Sequence, residues 1–139
     1  MGHVAGNPDS WGYIQVSLDG RVYPAHHLVW FMHTGKWPKH ELDHRDLDKA
    51  NNRHDNLRPA TRKQNASNCK VRSHSKSGMK GVYVMPNGKS IAQITVNRKS
   101  IYLGTFAEKW QAALAYANAA CRFFGEFADP HSKMMMGAA

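Results

Sequence analysis

Apolar and polar side chains alternate through residues 12–23, where Tyr13, Ile14, Val16 and Val22 flank the pair Asp19-Gly20. Period-two alternation marks a strand, and Asp-Gly between two such runs marks a two-residue hairpin. Over residues 24–34 the period lengthens: His27, Leu28, Trp30, Phe31 and Met32 recur at helical spacing, and Gly35 stops the run. Two short apolar anchors follow, Leu42 ahead of Asp43-His44 and Leu57 ahead of Arg58-Pro59, each read as a strand. Between them lies a polar, irregular loop carrying Asn51-Asn52. Thr61 and Gln64 form a T-x-x-Q capping box, which predicts a helix running to about Cys69 with Asn65 in its first turn.

The pattern changes again downstream. Residues 70–80, KVRSHSKSGMK, are basic and nearly free of apolar side chains, so they read as a linker, either a solvated spacer or a tether that orders against phosphates. GVYVMPNGKSIAQITVNRKSIYLGTF then holds three alternating runs, broken at Pro86-Asn87-Gly88 and at Asn97-Arg98-Lys99, and predicts a three-stranded antiparallel meander. Residues 107–124 are alanine-rich, with Trp110, Leu114, Ala117 and Cys121 at helical spacing and Gly125 at the end, so one helix is expected to cover one sheet face. The expected fold class is α+β. The expected organisation is a first module at 1–69 (core 10–69), a basic linker at 70–78, a sheet-and-helix domain at 79–128 and a C-terminal tail at 129–139, whose Met134-Met135-Met136 carries no motif.

Composition narrows the partners. In 139 residues, 19 Lys and Arg against 10 Asp and Glu leave a charge of +9, which suits a polyanion. No apolar stretch is long enough to span a bilayer, and no basic amphipathic helix suggests a membrane surface. Double-stranded DNA is the expected partner, with no membrane. Cys69 and Cys121 stand far apart without a C-x-x-C, so no structural zinc is expected; the thiols suit a reducing cytoplasm, and a disulfide between them stays open. Residues 1–12 show no secretory signal, which fits the cytoplasm of a bacterium or a phage-infected cell.

The chemistry is concentrated in LDHRDLDKANNRHDNLRPATRKQN, residues 42–65. Phosphodiester hydrolysis needs a base for water, a cation beside the leaving oxygen and in-line geometry. Asp43 and His44 are adjacent, Asn56 follows twelve positions after His44, and Asn65 nine after that. With the NNR and NLR elements, this stretch resembles the HNH endonucleases of phage and homing type, whose core is the ββα-metal unit. The resemblance implies that His44 is the general base, that Asn56 braces the loop 45–58, and that Asp43 and Asn65 bind Mg²⁺ or Mn²⁺. Neighbouring strand residues point to opposite faces, so Asp43 and His44 act from two sides unless the strand ends there. Arg58 and His26 are secondary positions. His26 lies in an A-H-x-L-V-W string similar to the segment ahead of the motif in phage members, and it either takes part directly or caps and packs. His33, His40 and His54 have no surroundings that fix a role, and Trp30 and Trp37 read as core or hinge aromatics.

The second module resembles the APETALA-type DNA-binding domain of plant ethylene-response factors through KGVY, IAQITVN, YLGTF, AALAYANAA and FGEFA. Similar copies are appended to phage HNH endonucleases. In such domains the exposed sheet face enters the major groove, which by position implicates Lys80, Tyr83, Met85, Asn87, Gln93, Thr95, Arg98 and Tyr102 in DNA binding. Plant domains carry arginines and tryptophans at several of these places, so their target sequence does not transfer. The resulting expectation is a metal-dependent DNA endonuclease leaving 5′-phosphate and 3′-hydroxyl ends. As a monomer it would nick one strand, and cutting both would need a dimer or a second encounter. The rival is a non-cleaving DNA-binding regulator that keeps a nuclease-derived module.

Overall fold

Asp19 and Gly20 both adopt positive φ, 50° and 74°, as a tight hairpin of the primed type requires. In the computed structural model, which describes residues 5–137, this turn joins β2 (Ile14–Leu18) to β3 (Arg21–Pro24). A short β1 (Asn7–Pro8), which alternation does not announce in two residues, pairs antiparallel with β2 and makes the sheet three-stranded. Asp9 holds the turn between them, since its Oδ1 accepts from the Trp11 and Tyr13 amides at 2.8 and 3.0 Å. The chain divides into two compact units, Met1–Ala66 and Ser67–Ala139. Residues 1–4 and 138–139, within the stretches read for a secretory signal and for a tail, lie outside the described residues.

In the first unit, α1 (Ala25–Thr34) follows β3 directly and ends at Gly35, whose left-handed φ of 72° lets its N–H reach Phe31 O at 2.8 Å. β4 (Glu41–His44) pairs antiparallel with β5 (Leu57–Ala60), which is preceded by one 3₁₀ turn at His54–Asn56. The expected capping box forms: Gln64 N donates to Thr61 Oγ1 at 3.3 Å and Thr61 N to Gln64 Oε1 at 2.8 Å. It opens α2, which runs over Arg62–Ser67, shorter than expected. Buried apolar side chains are few: Ile14, Ala25, Leu42, Leu57 and Ala60 share the interior with His26, Asp43, His44, Asn56 and Arg58. The polar residues of the motif therefore are a large part of this unit's core.

The second unit is the expected meander, β6 (Val82–Val84), β7 (Ser90–Val96) and β8 (Lys99–Phe106), in the order 6-7-8 and antiparallel throughout. α3 (Lys109–Phe124) covers one face. Its Ala112, Ala113, Ala119 and Ala120 let the helix backbone approach Val82, Ala92 and Ile94, with Tyr116 filling the remaining space. The helix starts two residues later than the alanine run suggests because Glu108 and Gln111 form a reciprocal capping box. Residues 70–78 contain hydrogen-bonded turns, with Ser77 buried and its hydroxyl donating to Met79 O at 2.9 Å. In the segment read as a tail, Pro130–Met135 form a helix, α4, capped by Asp129, whose two carboxylate oxygens accept from Ser132 N and Oγ at 3.0 and 2.8 Å. Cys69 and Cys121 are free thiols.

Candidate active site and nucleic-acid interface

β4 ends at His44, and the cross-strand register fixes what each motif residue faces. Asp43 stands opposite Arg58, and His44 opposite Leu57. Asp43 and His44 thus leave the strand on opposite faces. On one face, Arg58 Nε and Nη2 approach Asp43 Oδ2 at 2.8 and 2.6 Å, and both side chains are 3% exposed. On the other, His44 is buried beside Tyr13 and His26, with ring centroids at 6.0 and 5.3 Å. Its Nε2 lies 2.8 Å from Asn52 Oδ1. A carbonyl oxygen only accepts, so in the neutral ring Nε2 carries the proton and the basic lone pair resides on Nδ1.

Asn56 holds the loop that brings Asn52 to His44. Its Nδ2 donates to Asp46 Oδ1 and to Asn51 O at 2.9 and 2.8 Å, and its Oδ1 accepts from Asp46 N at 3.2 Å. Burial pushes the Asp46 carboxyl up, but hydrogen bonds from Asn51, the Asp48 amide and Asn56 outweigh it and hold the group below its usual range. The stacked rings of His33 and His54, 4.4 Å apart and 8° from parallel, fasten the end of α1 to the 3₁₀ turn that carries Asn56. Trp30 packs on His54, whereas Trp37 lies nearer the surface, stacked against Tyr23 and Phe31.

His26 sits behind His44 rather than on the surface. It is 8% exposed and touches the rings of Tyr13, His27 and His44; among the described residues its Nδ1 has no hydrogen-bond partner. Burial, reinforced by repulsion from His27 and His44, lowers its pKa to about 4, so it is a neutral ring at physiological pH.

Asn65 approaches the strand pair at Glu41, with its Nδ2 3.0 Å from Glu41 Oε2. Glu41 precedes Asp43 by two residues in β4 and therefore shares its face. Glu41 thus links Asn65 to the strand that carries Asp43, and His44 is that strand's last residue. Among the described residues no group of three or more His, Cys, Asp or Glu converges as a metal cage. A donor set of one carboxylate and one amide oxygen fits Mg²⁺, which keeps several waters and takes the rest of its ligands from phosphate.

Residues 23–67 match the HNH endonuclease family. The HNH segment runs from the end of β3 to the end of α2, about a third of the chain, and takes in His26, Asp43, His44, Asn52, Asn56, Arg58 and Asn65. Tyr13 and the whole second unit lie outside it. No curated protein and no solved structure matches the chain at a significant level.

Two residues of the HNH segment escaped sequence reasoning. Asn52 was legible only as part of a polar loop, although it stands eight residues after His44 beside the bracing Asn56. Glu41 had a signal: in a strand, an acid two positions before Asp43 must share its face.

In the second unit, the sheet face away from α3 carries most of the proposed DNA contacts. Tyr83, Gln93, Thr95 and Tyr102 point outward, with Tyr83 and Tyr102 58% and 63% exposed. A β-bulge at Ala92/Gln93 places Gly104 opposite Ala92 and Tyr102 opposite Gln93, so the extra Leu103 turns into the core and Tyr102 is kept outside. Gln93 Nε2 hydrogen-bonds Ser100 Oγ, and the Tyr102 hydroxyl lies 2.6 Å from Thr105 Oγ1. Arg98 is exposed at the β7–β8 turn, and Met85 and Asn87 belong to the β6–β7 connection. Lys80 does not share this face. Its ammonium donates to Ser67 O and Cys69 O at 2.7 and 3.2 Å and lies 3.6 Å from Asp129 Oδ2, so it ties the start of the unit to the cap of α4 and is mostly covered.

Proposed function

We propose that the protein is a metal-dependent DNA endonuclease of the ββα-metal HNH type. The observation that carries this reading is the end of β4: His44, the strand's last residue, follows Asp43 directly and is tied through Nε2 to Asn52. His44 Nδ1 takes a proton from the attacking water. Asn52 holds the ring in that tautomer, and Asn56 keeps Asn52's loop in place. Asp43 and Asn65 would hold Mg²⁺ or Mn²⁺, with Arg58 setting the Asp43 carboxylate. Bound there, a divalent ion supplies charge stabilisation at the phosphate and the leaving 3′-oxygen. The products are a 5′-phosphate and a 3′-hydroxyl.

The second unit, in this reading an APETALA-type domain, directs the enzyme to double-stranded DNA through Tyr83, Gln93, Thr95, Arg98 and Tyr102. The charge of +9 supports a polyanionic partner. One motif makes one active site, so a monomer nicks one strand. The test is incubation of supercoiled plasmid with the full chain in Mg²⁺, Mn²⁺ or EDTA, beside His44→Ala. Open-circle product that requires both metal and His44 supports the reading. An intact plasmid under all conditions, with metal-independent binding, would favour a DNA-binding regulator; the closed Asp43–Arg58 pair is the feature that suits that second reading.

A further inference from the structure

We infer that Glu41 is a positioning residue that turns the Asn65 amide so that its oxygen, and not its nitrogen, is offered to a divalent cation; the inference rests on the metal-dependent reading above. An asparagine amide has nearly the same shape in two orientations, related by a half-turn, and only one presents an oxygen in a given direction. An amide nitrogen does not ligate a hard cation, whereas the oxygen does. Asn65 therefore needs a partner that tells its two ends apart. Glu41 is such a partner because an ionised carboxylate only accepts. The contact joins Asn65 Nδ2 to Glu41 Oε2 at 3.0 Å, which turns Oδ1 away from Glu41.

The backbone makes this contact reproducible. Asn65 N donates to Thr61 O at 2.9 Å, which sets the residue in the first turn of α2. Glu41 is fixed opposite Ala60, two positions along the same strand face from Asp43 opposite Arg58. One strand thus carries both the carboxylate proposed as ligand and the carboxylate that orients the second ligand. Partners of this outer kind, when removed, weaken metal binding by about 10–100-fold.

The test is Mn²⁺ binding to the metal-free full chain, followed by electron paramagnetic resonance without DNA, in four proteins: the parent, Glu41→Gln, Asn65→Asp and Asn65→Asp with Glu41→Gln. A glutamine accepts or donates, so it no longer distinguishes the ends of the Asn65 amide. Glu41→Gln is expected to weaken Mn²⁺ binding about tenfold or more, with an unchanged thermal midpoint. In Asn65→Asp both ends are oxygens and orientation no longer matters, so adding Glu41→Gln removes a repulsion and strengthens binding. This reversal of sign separates positioning from the alternatives. Were Glu41 itself a ligand, or merely a nearby negative charge, Glu41→Gln would weaken Mn²⁺ binding in both backgrounds, and the inference would be overturned. Unchanged binding in Glu41→Gln overturns it too, while Mn²⁺ binding by the parent then leaves the metal-dependent reading intact. A parent protein that binds no Mn²⁺ overturns both.

Discussion

Arg58 closes on Asp43 from the opposing strand, and two of its nitrogens converge on the single oxygen Oδ2, in a pair almost sealed from solvent. Such a pair contributes little net stability when intact but costs heavily when halved, because the remaining charge stays buried. Arg58→Ala is therefore expected to destabilise the first unit by about 3–5 kcal/mol in urea unfolding. Asp43→Leu combined with Arg58→Met should recover most of that loss and yet leave no nuclease activity, which separates the residues' structural role from their proposed chemistry.

Asn52 acts on His44 from a distance of one hydrogen bond. His44→Ala should abolish plasmid nicking while DNA binding persists. Asn52→Ala should lower kcat by about 10–100-fold with little change in KM, a part of the about 10²–10⁴-fold that a positioned general base supplies. Full activity in Asn52→Ala would remove it from the mechanism.

His26 links stability to pH. Its pKa is about 4 in the folded chain and about 6.5 unfolded, so the unfolded state binds the proton first as pH falls. The contribution is complete above pH 6.5 and is lost on acidification toward pH 4, at up to about 1.4 kcal/mol per pH unit. Burial depresses His27 in the same direction. Urea midpoints measured at pH 7.5 and pH 5 should differ clearly in the parent protein and less in His26→Gln; equal differences would assign the slope elsewhere.

Gly81 lies against the ring of Tyr116. Its φ is 68°, and a Cβ there would overlap that buried ring and come within 2.6 Å of Gln93 O. Gly81→Ala should cost the second unit about 3 kcal/mol or more, since overpacking adds to the left-handed backbone. At Gly88, φ is 83° but nothing lies within 4 Å, and Gly88→Ala should cost only about 1–2 kcal/mol. Thermal unfolding of the two variants checks the contrast.

Arg98 occupies a left-handed position, φ 64°, where glycine is usual. Arg98→Gly should stabilise the second unit by about 1 kcal/mol and also weaken DNA binding. If Arg98 meets a phosphate, the slope of log K against log salt should become shallower by about 0.9. A more stable variant with unaltered binding would remove Arg98 from the interface.

Local pattern by itself determined much of this protein. Asp19-Gly20 set the first hairpin, Gly35 the end of α1, Thr61 and Gln64 the start of α2, and alternation through residues 81–106 the second sheet, because each feature arises between residues a few positions apart. The HNH segment was legible as well, since its spacing is itself the motif. Only the tertiary structure decided which partner each polar side chain takes. Arg58 reaches Asp43 across 15 residues, Asn65 reaches Glu41 across 24, and Lys80 turns inward to Ser67 O. A charged or amide group in a small unit must find a partner when it is buried, and which one it finds depends on register, bulges and helix ends that bring distant residues together. Periodicity tells that Lys80 is polar and Leu103 apolar; the β-bulge and the Ser67 and Cys69 carbonyls tell where each one goes.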